Sequence, residues 1–196
     1  MRRCFGLIVA GAALVLHKVR ALSPVSDTGI DGTWSTGTGA VETGQKYFNI
    51  VNDTFIVPPL SGQSYSFLPN SDTTGYWEEL VYKYNTSGCY EAMLFWQHGN
   101  YTINANNSIT LTPFGPDGRQ QVSRPCDTST DYVGYYYQPE YMQRYEITTY
   151  LHYGQYTYKL QLYAYDGSLK PSMYLKYRPA AMYPTVPMHK NVIGVE

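Results

Sequence analysis

The carboxylates and imidazoles of this chain are the side chains that could carry acid–base chemistry, and their spacing argues against it. Glu78 and Glu79 are adjacent, and neighbours on a strand point to opposite faces, so the two cannot flank one glycosidic bond. His98 and His152 each lack a second His or Cys at metal-ligand spacing, and we interpret both as structural. The sequence therefore predicts no catalytic residue and no metal ligand.

Motifs for nucleophilic and nucleotide chemistry are also missing from the sequence. It contains no Gly-x-Ser-x-Gly elbow, no Gly-rich phosphate loop and no His-Glu-x-x-His. Residues 117–120 form a turn signal whose Arg119 could bind an anionic group, but we favour a hairpin turn in which Arg119 pairs with a nearby carboxylate. We expect a protein that is not an enzyme and uses neither cofactor nor ATP.

The first 21 residues have the parts of a secretory signal. Arg2 and Arg3 precede an unbroken run of 13 apolar or small residues, and Val19-Arg20-Ala21 offers small residues for signal peptidase. The run is shorter than the roughly 20 residues that a membrane-spanning helix needs. We expect residues 1–21 to be a cleaved signal peptide.

Signal cleavage changes the charge of the chain. It removes four of the 14 basic residues and no acidic one, which leaves 10 basic against 15 acidic residues and a net charge of about −5. Such a balance gives no basic surface for nucleic acid. The remaining length suits one domain, which we place at residues 22–185, followed by a tail at 186–196. The chain after Arg178 already looks like a tail because three prolines interrupt it.

Cysteines and glycosylation motifs agree with the secretory route. Two cysteines remain after cleavage, Cys89 and Cys126, and we predict a disulfide between them. Closing that loop of 38 residues would stabilise the fold by roughly 4 kcal/mol. Four Asn-x-Ser/Thr motifs predict a glycoprotein. Their asparagines are Asn52, Asn85, Asn100 and Asn106.

Apolar residues along the mature chain recur with a period of two. Between residues 156 and 165, Leu160 and Leu162 share one face with Ala164, while Tyr163 and Tyr165 lie on the other. A hairpin signal, Asp166-Gly167, follows, and a return strand covers 173–178. Similar runs occur at 63–68, 76–84, 90–97, 108–112 and 144–152. The pattern predicts an all-β fold, a single antiparallel barrel or sandwich.

Two residues at the ends of the strand pattern suggest a more specific architecture. In lipocalin-like calycin barrels, a Gly-x-Trp near the start packs under an Arg from the last strand. Gly32-Thr33-Trp34 and Tyr177-Arg178 resemble that arrangement. We therefore predict that Trp34 and Arg178 lie against each other as a barrel-closing pair, with an ordinary core Trp as the alternative.

A series of short motifs runs in order along the mature chain. They are Gly32-Thr33-Trp34-Ser35, Tyr65-Ser66-Phe67, Gly75-Tyr76-Trp77-Glu78-Glu79, Gln97-His98-Gly99-Asn100-Tyr101, Asp117-Gly118-Arg119-Gln120, Leu160-Gln161-Leu162-Tyr163, Tyr165-Asp166-Gly167 and Tyr177-Arg178-Pro179. From about Gly32 to Thr185, this series resembles the fungal family named for reversal of TOR lethality. Cys89 and Cys126 also match cysteines of that family.

This resemblance implies a chaperone of the endoplasmic reticulum. Its expected partners are unfolded or nascent secretory proteins and cell-wall synthesis proteins, together with the glycosylation machinery, and it implies effects on β-1,6-glucan and protein glycosylation. Members of the family typically continue into a C-terminal membrane span, whereas no apolar run after residue 22 of this sequence is long enough to cross a bilayer. Either this copy lacks the anchor or the sequence is part of a longer chain.

Tyrosines on the face opposite the core are the residues we expect to bind clients. Tyr163 and Tyr165 are the candidates, since tyrosine combines a large apolar ring with a hydroxyl that tolerates water. The same rings could instead finish the core or pack under glycans. Two other classes remain open: a carbohydrate-binding module or glucan-processing enzyme, and a calycin-type binder of small apolar ligands.

Overall fold

The computed structural model describes residues 29–86, 91–124 and 132–190, and the ordered elements in these ranges are all β-strands. The strands are β1 (Gly32–Thr36), β2 (Phe48–Asn49), β3 (Thr54–Phe55), β4 (Gly62–Pro69), β5 (Thr74–Asn85), β6 (Glu91–Ile103), β7 (Ile109–Pro113), β8 (Arg119–Ser123), β9 (Tyr132–Tyr135), β10 (Glu140–Met142), β11 (Arg144–His152), β12 (Gln155–Tyr163) and β13 (Met173–Tyr177). The all-β prediction is confirmed. Within the described part of the chain, no helix is long and apolar enough to cross a membrane.

The strands predicted from alternation correspond to β4, β5, β6, β7, β11, β12 and β13. The hairpin signal after β12 is also present, since the Gly167 N–H donates to the Ala164 carbonyl at 2.9 Å. Sequence alternation missed the short strands β8, β9 and β10. Strands β9 and β10 have four and three residues, too few to display a period of two, and β8 has a single apolar residue, Val122.

Most strands form one antiparallel sheet in the order β10-β7-β6-β5-β4-β1-β13-β12-β11. Strand β6 pairs with β5 along one edge and is long enough to pair with two strands along the other. Its first half, from Ala92 to Trp96, pairs with β8, and its second half, from Gly99 to Ile103, pairs with β7. The sheet therefore divides at β6, and β9 extends the β8 branch.

The two edge strands of this sheet, β10 and β11, are consecutive in the chain but are not paired with each other by a described ladder. Strand β10 pairs with β7 and β11 pairs with β12, and the two strands are separated only by Gln143, whose N–H donates to the Tyr163 carbonyl at 2.9 Å. No described ladder joins β10 to β11, so the sheet is not closed into a barrel. Of the two predicted architectures, the open sheet excludes the closed barrel, including its calycin-like form, and agrees with the sandwich.

The inner face of the sheet encloses the main core. Residues from strands along the whole order contribute to it, which requires the sheet to curl around them. Burial of large aromatic side chains is the main stabilising contribution of such a core. The buried members are Ile30, Trp34, Tyr65, Phe67, Trp77, Tyr101, Ile109, Leu111, Met142, Leu160, Leu162 and Met173.

A second core lies on the outer face of β5 and β6. Phe48 stacks on Trp96 with ring centroids 4.3 Å apart, and Tyr183 contacts both rings edge-on. The Tyr183 hydroxyl donates to the Phe48 carbonyl at 2.6 Å. Residues 181–189, which look like a tail in the sequence, are therefore held against the sheet, because Tyr183 supplies an apolar ring that the local alternation did not reveal.

Two glycines of the motifs that carry the family resemblance are explained by close backbone approach. A Cβ at Gly99 would lie 2.0 Å from the Thr112 carbonyl oxygen, and one at Gly118 would lie 2.0 Å from that of Tyr136. Neither gap admits a side chain, and glycine is the residue that permits such an approach. These glycines therefore fix how β7 and the segment after β9 pack against β6 and β8.

Candidate functional site

A cavity of about 550 Å³ opens on the inner face of the sheet, beside the main core. Strands β4, β5 and β6 supply one wall, residues 136–142 a second, and the β12–β13 connection at 164–171 a third. Its size lies within the range of ligand pockets. The lining residues are Gln63, Tyr65, Glu79, Val81, Lys83, Phe95, Tyr136, Gln138, Pro139, Glu140, Tyr141, Met142, Ala164, Tyr165, Leu169, Lys170 and Pro171.

Four polar side chains form the floor of this cavity: Tyr65, Glu79, Glu140 and Lys170. The Tyr65 hydroxyl donates to the two Glu140 oxygens at 2.9 and 3.1 Å. Lys170 Nζ donates to the Tyr65 oxygen at 2.8 Å and to Glu140 Oε2 at 2.5 Å. The Glu79 carboxyl accepts a hydrogen bond from Gln97 and lies within electrostatic reach of Glu140. The floor is thus one connected network.

The electrostatics of the floor favour a neutral Glu79. Burial raises the pKa of Glu79 well above its usual range, and the negative charge of Glu140 raises this pKa further. Hydrogen bonding to Tyr65 and the charge of Lys170 oppose the shift without reversing it. Burial, together with the Glu140 charge, also raises the pKa of the Tyr65 hydroxyl. With Glu140 paired to Lys170, the floor carries both hydrogen-bond donors and acceptors and little net charge.

Glutamine side chains complete the polar wall. Gln97 Nε2 donates to Glu79 Oε1 at 2.7 Å and to the Gln138 carbonyl at 2.9 Å, and Gln97 Oε1 accepts from the Gln138 N–H at 3.1 Å. Gln63 differs, because its side chain is 7% exposed and no described residue accepts a hydrogen bond from its Nε2. An unpaired buried amide is costly, and such groups are rare in folded proteins.

Exposed aromatic and aliphatic side chains surround the mouth of the cavity. Tyr165 is 76% exposed, Leu169 67% and Tyr141 42%. Tyr163 lies at the end of β12 and is half-buried, with the Arg144 guanidinium 3.7 Å from the centre of its ring. The structure therefore places Tyr165 at the cavity and covers Tyr163 with a cation.

Glu78 occupies the other face of β5, as the alternation predicts. Its carboxylate accepts hydrogen bonds from the N–H groups of Gly44 at 2.6 Å and Tyr183 at 2.5 Å, and from Trp96 Nε1 at 3.0 Å. Burial raises the pKa of Glu78, and these donors partly offset that effect. Glu78 and Glu79 therefore belong to different sites.

Asp117 organises a second buried polar cluster. It accepts hydrogen bonds from His98 Nε2 at 2.7 Å, from the N–H groups of Met188 and His189, and from His189 Nδ1 at 2.9 Å. Arg119 Nε lies 3.1 Å from Asp53 Oδ1, the pairing with a nearby carboxylate that the sequence predicted. Among the described residues, no group of His, Cys, Asp and Glu is arranged to hold a metal ion.

The remaining predicted histidine, His152, also contacts ordinary structural groups. Its Nε2 lies 2.7 Å from the Gly37 carbonyl oxygen, and its ring stacks on Tyr174 with centroids 3.5 Å apart. This agrees with a structural role.

Trp34 and Arg178 are both directed to the chain just before β1. Trp34 Nε1 donates to the Ile30 carbonyl at 2.7 Å, and Arg178 donates to the carbonyls of Gly29 and Asp31 at 2.9 to 3.1 Å. The Arg178 guanidinium lies 6.0 Å from the Tyr158 ring centre. Direct contact between Trp34 and Arg178 stays a prediction.

The predicted secretory features fall partly outside the described residues. The predicted signal peptide and both cysteines, Cys89 and Cys126, lie there. The four motif asparagines, Asn52, Asn85, Asn100 and Asn106, are all exposed. Exposure is what glycosylation requires, while the occupancy of each site stays a prediction.

Sequence reasoning missed most residues of the cavity floor. Glu140 and Lys170 stand alone in the sequence, so nothing local marks them. The available signal was polar residues at inward positions of apolar strands: Gln63 alternates with Tyr65, and Glu79 lies between Trp77 and Val81. Such positions mark a buried polar site.

Comparisons with known proteins place the chain in a family. A family model described as Rot1, a fungal chaperone for protein folding within the ER, matches residues 30–193. Protein rot1 of Schizosaccharomyces pombe is 39% identical, over 85% of this chain and 71% of that protein. Protein rot1 of Botryotinia fuckeliana is 38% identical over 91% of this chain and 66% of that protein, and Protein ROT1 of Yarrowia lipolytica is 36% identical over 90% and 70%.

No solved structure matches the chain. The family match covers both cores, the cavity floor and the Asp117 cluster, since all of these lie between residues 30 and 193. The chain therefore belongs to the Rot1 family of fungal chaperones for protein folding within the endoplasmic reticulum.

Proposed function

We propose that the chain is an ATP-independent chaperone of the endoplasmic reticulum lumen that binds unfolded client segments at the mouth of the inner-face cavity. Its clients are secretory and cell-wall synthesis proteins, and through them it influences β-1,6-glucan levels and protein glycosylation. The observation that carries the proposal is the exposed aliphatic and aromatic rim formed by Tyr141, Tyr165 and Leu169.

The rim suits weak binding to many sequences. Tyrosine and leucine surfaces of this kind are costly to leave in water, and they recover that free energy by covering apolar segments of another chain. Such contacts need no directional match and no nucleotide. Tyr163 contributes beside the rim, where its ring is already partly covered by Arg144.

The carboxyl geometry favours a binding protein over a glucan-processing enzyme. Glycosidases use one carboxyl as general acid and a second as nucleophile or base, and both must be free to reach the sugar. Glu140 is instead bonded to the Tyr65 hydroxyl and to Lys170, and Glu79 is bonded to the Gln97 amide. A binder of small apolar ligands is also disfavoured, since the cavity floor is polar.

Several secretory features belong to this proposal. We propose that residues 1–21 are a cleaved signal, that some of the four exposed asparagines carry glycans, and that Cys89 and Cys126 form a disulfide. The described β6–β8 ladder supports the disulfide, because its last pair, Ala92 with Ser123, lies three residues after Cys89 and three before Cys126. Mass spectrometry of non-reduced peptides tests the bond.

An aggregation assay tests the chaperone activity. The secreted chain, purified without nucleotide, should slow the aggregation of a heat-unfolded client enzyme, and Tyr165→Ser combined with Leu169→Ser should weaken this effect. Each lost aromatic contact is worth about 0.5–1.5 kcal/mol, so the loss should be partial. Tyr156→Ser is the matched control, because Tyr156 is 81% exposed at the other end of β12.

Two outcomes would contradict the proposal. One is equal suppression of aggregation by the rim variant and the parent chain. The other is hydrolysis of a glucan by the purified chain that disappears on changing Glu78, Glu79 or Glu146, which would favour an enzyme.

A further inference from the structure

We infer that the floor of the inner-face cavity binds a neutral hexopyranose residue, so that the chain has a saccharide-binding activity in addition to client binding. The inference uses the same cavity as the proposed function but does not depend on aggregation suppression. It rests on the chemistry of the floor, the unpaired Gln63 amide and the aromatic rings above them.

The Gln63 side chain supplies an unpaired hydrogen-bond donor. Gln63 lines the cavity, is buried, and its Nε2 has no acceptor among the described residues. Its backbone N–H and carbonyl, in contrast, are both bonded to the Thr36 hydroxyl, at 3.0 and 3.3 Å. Because a buried amide without a partner is unfavourable, this side chain is best explained by a ligand that accepts its hydrogen bond.

The other polar groups of the cavity floor include both hydrogen-bond donors and acceptors. The Lys170 ammonium has three N–H donors, of which two are given to Tyr65 and Glu140, and the Glu140 carboxylate has room to accept further hydrogen bonds. A ligand must therefore offer acceptors and donors on neighbouring atoms. Vicinal hydroxyl groups do so, since each hydroxyl is both donor and acceptor.

The charges of the cavity floor favour a neutral ligand. Glu140 is already neutralised by Lys170 at 2.5 Å, and the negative charge of Glu140 disfavours a second charge on Glu79. A cationic ligand would meet Lys170, and an anionic ligand would meet Glu140. A neutral polyhydroxylated ring meets neither repulsion.

Aromatic rings form the apolar surfaces of the cavity. Phe95 and Tyr136 line the cavity with ring centroids 5.1 Å apart, and Tyr141 and Tyr165 lie at its mouth. The C–H face of a hexopyranose packs on aromatic rings while its hydroxyl edge reaches polar groups. A cavity of about 550 Å³ accommodates one or two such rings.

A peptide segment is the competing occupant, and the floor disfavours it. An apolar client side chain would leave Gln63 unpaired and would cover the Lys170–Glu140 pair without replacing lost water contacts. A peptide at the rim, as proposed above, does not require the floor.

Titration with disaccharides tests the inference. The parent chain, freed of its own N-glycans, is titrated by calorimetry and by NMR with gentiobiose, a β-1,6-linked glucose pair, and with α-1,2-mannobiose. These probes separate a glucan source from an N-glycan source of the same hexose chemistry. We expect at least one of the two disaccharides to bind, without uptake or release of a proton by the protein.

The Gln63→Leu variant identifies the site. Removing an unpaired donor should leave the melting temperature unchanged or higher, while loss of one hydrogen bond to the sugar should weaken binding about 3- to 10-fold. Gln155→Leu, at an exposed position on the far end of β12, should bind as the parent does.

Two results would overturn the inference. They are absence of binding by both disaccharides at millimolar concentration, and equal affinity of parent and Gln63→Leu. Intact aggregation suppression in a chain that binds no sugar would refute this inference alone, leaving the chaperone proposal standing.

Discussion

Glu78 and Glu79 are adjacent and both buried, yet the two faces of β5 give them opposite surroundings. Glu78 receives hydrogen bonds from three N–H groups that belong to three separate segments, at Gly44, Trp96 and Tyr183. Glu79 faces a second carboxyl and a cavity. A buried carboxylate surrounded by fixed donors holds segments together, whereas a buried carboxyl beside another one is poorly satisfied by the fold alone.

The difference extends to the elements around each residue. On the outer face, Tyr183 and Phe48 cover β5 and β6 and exclude water from Glu78. On the inner face, the main core ends at Tyr65, and the space beyond it stays open as the cavity. The outer face is therefore closed around Glu78, whereas the inner face beside Glu79 is open to a ligand.

The largest expected effect is on the outer face. Glu78→Leu leaves three buried N–H donors without an acceptor, each worth roughly 1–3 kcal/mol, so we expect the free energy of unfolding to fall by at least about 3 kcal/mol. Urea unfolding measures it. Glu146→Leu is the control, because Glu146 is exposed and its ion-pair partner among the described residues is Arg144, and it should cost about 1 kcal/mol or less. Equal costs would remove the distinction between the faces.

Asp117 should show a smaller effect with a pH signature. Burial alone would raise its pKa, but hydrogen bonds from His98, Met188 and His189 lower it from 3.8 to about 2. A lowered pKa gives stability that is full above pH 4 and lost as the pH falls through about 2, and the loss amounts to about 2 kcal/mol.

The Asp117→Asn variant checks this dependence. It should lower the free energy of unfolding at pH 7 by about 2 kcal/mol and should lose less stability than the parent between pH 4 and pH 2. Unfolding in urea across that range measures both. A parallel acid slope in parent and variant would show that Asp117 does not carry the dependence.

Glu79 should respond with the opposite sign and little cost. Because burial and Glu140 raise its pKa, its contribution is fully present at low pH and is lost as the pH rises through the raised value. Glu79→Gln keeps the shape without the titration. We expect it to be within about 1 kcal/mol of the parent at pH 5 and more stable than the parent at pH 9. A parent that keeps its stability at pH 9 would contradict a poorly satisfied Glu79.

The sequence predicted the strands well and the cavity poorly, for a physical reason. Alternation is local, so Leu160, Leu162 and the Asp166-Gly167 turn could be assigned without knowing their neighbours. The carboxyl pair could not, because Glu79 and Glu140 are brought together by sheet order, and sheet order depends on the division at β6.

The open sheet was similarly hidden. The chain bends at Gln143, between β10, which pairs with β7, and β11, which pairs with β12. This bend determines whether the two edge strands pair with each other. No residue type at that position signals the change of partner. Packing of Tyr183 against Phe48 and Trp96 is equally nonlocal, which is why the segment after Arg178 looked like a tail.

The smallest expected effect distinguishes Tyr163, whose ring already has a partner in the fold, from Tyr165, whose ring is available to a ligand. Tyr163 is covered by the Arg144 guanidinium at 3.7 Å, whereas Tyr165 is 76% exposed at the cavity mouth. Tyr163→Ser should therefore lower the free energy of unfolding by about 0.5–1 kcal/mol through loss of the cation–π contact. Tyr165→Ser should change it by about 0.5 kcal/mol or less. Aggregation suppression should show the reverse order, with the larger loss for Tyr165→Ser, because an exposed ring is free to contact a client. If Tyr163→Ser reduces suppression more while both variants remain folded, clients contact the end of β12 rather than the cavity mouth.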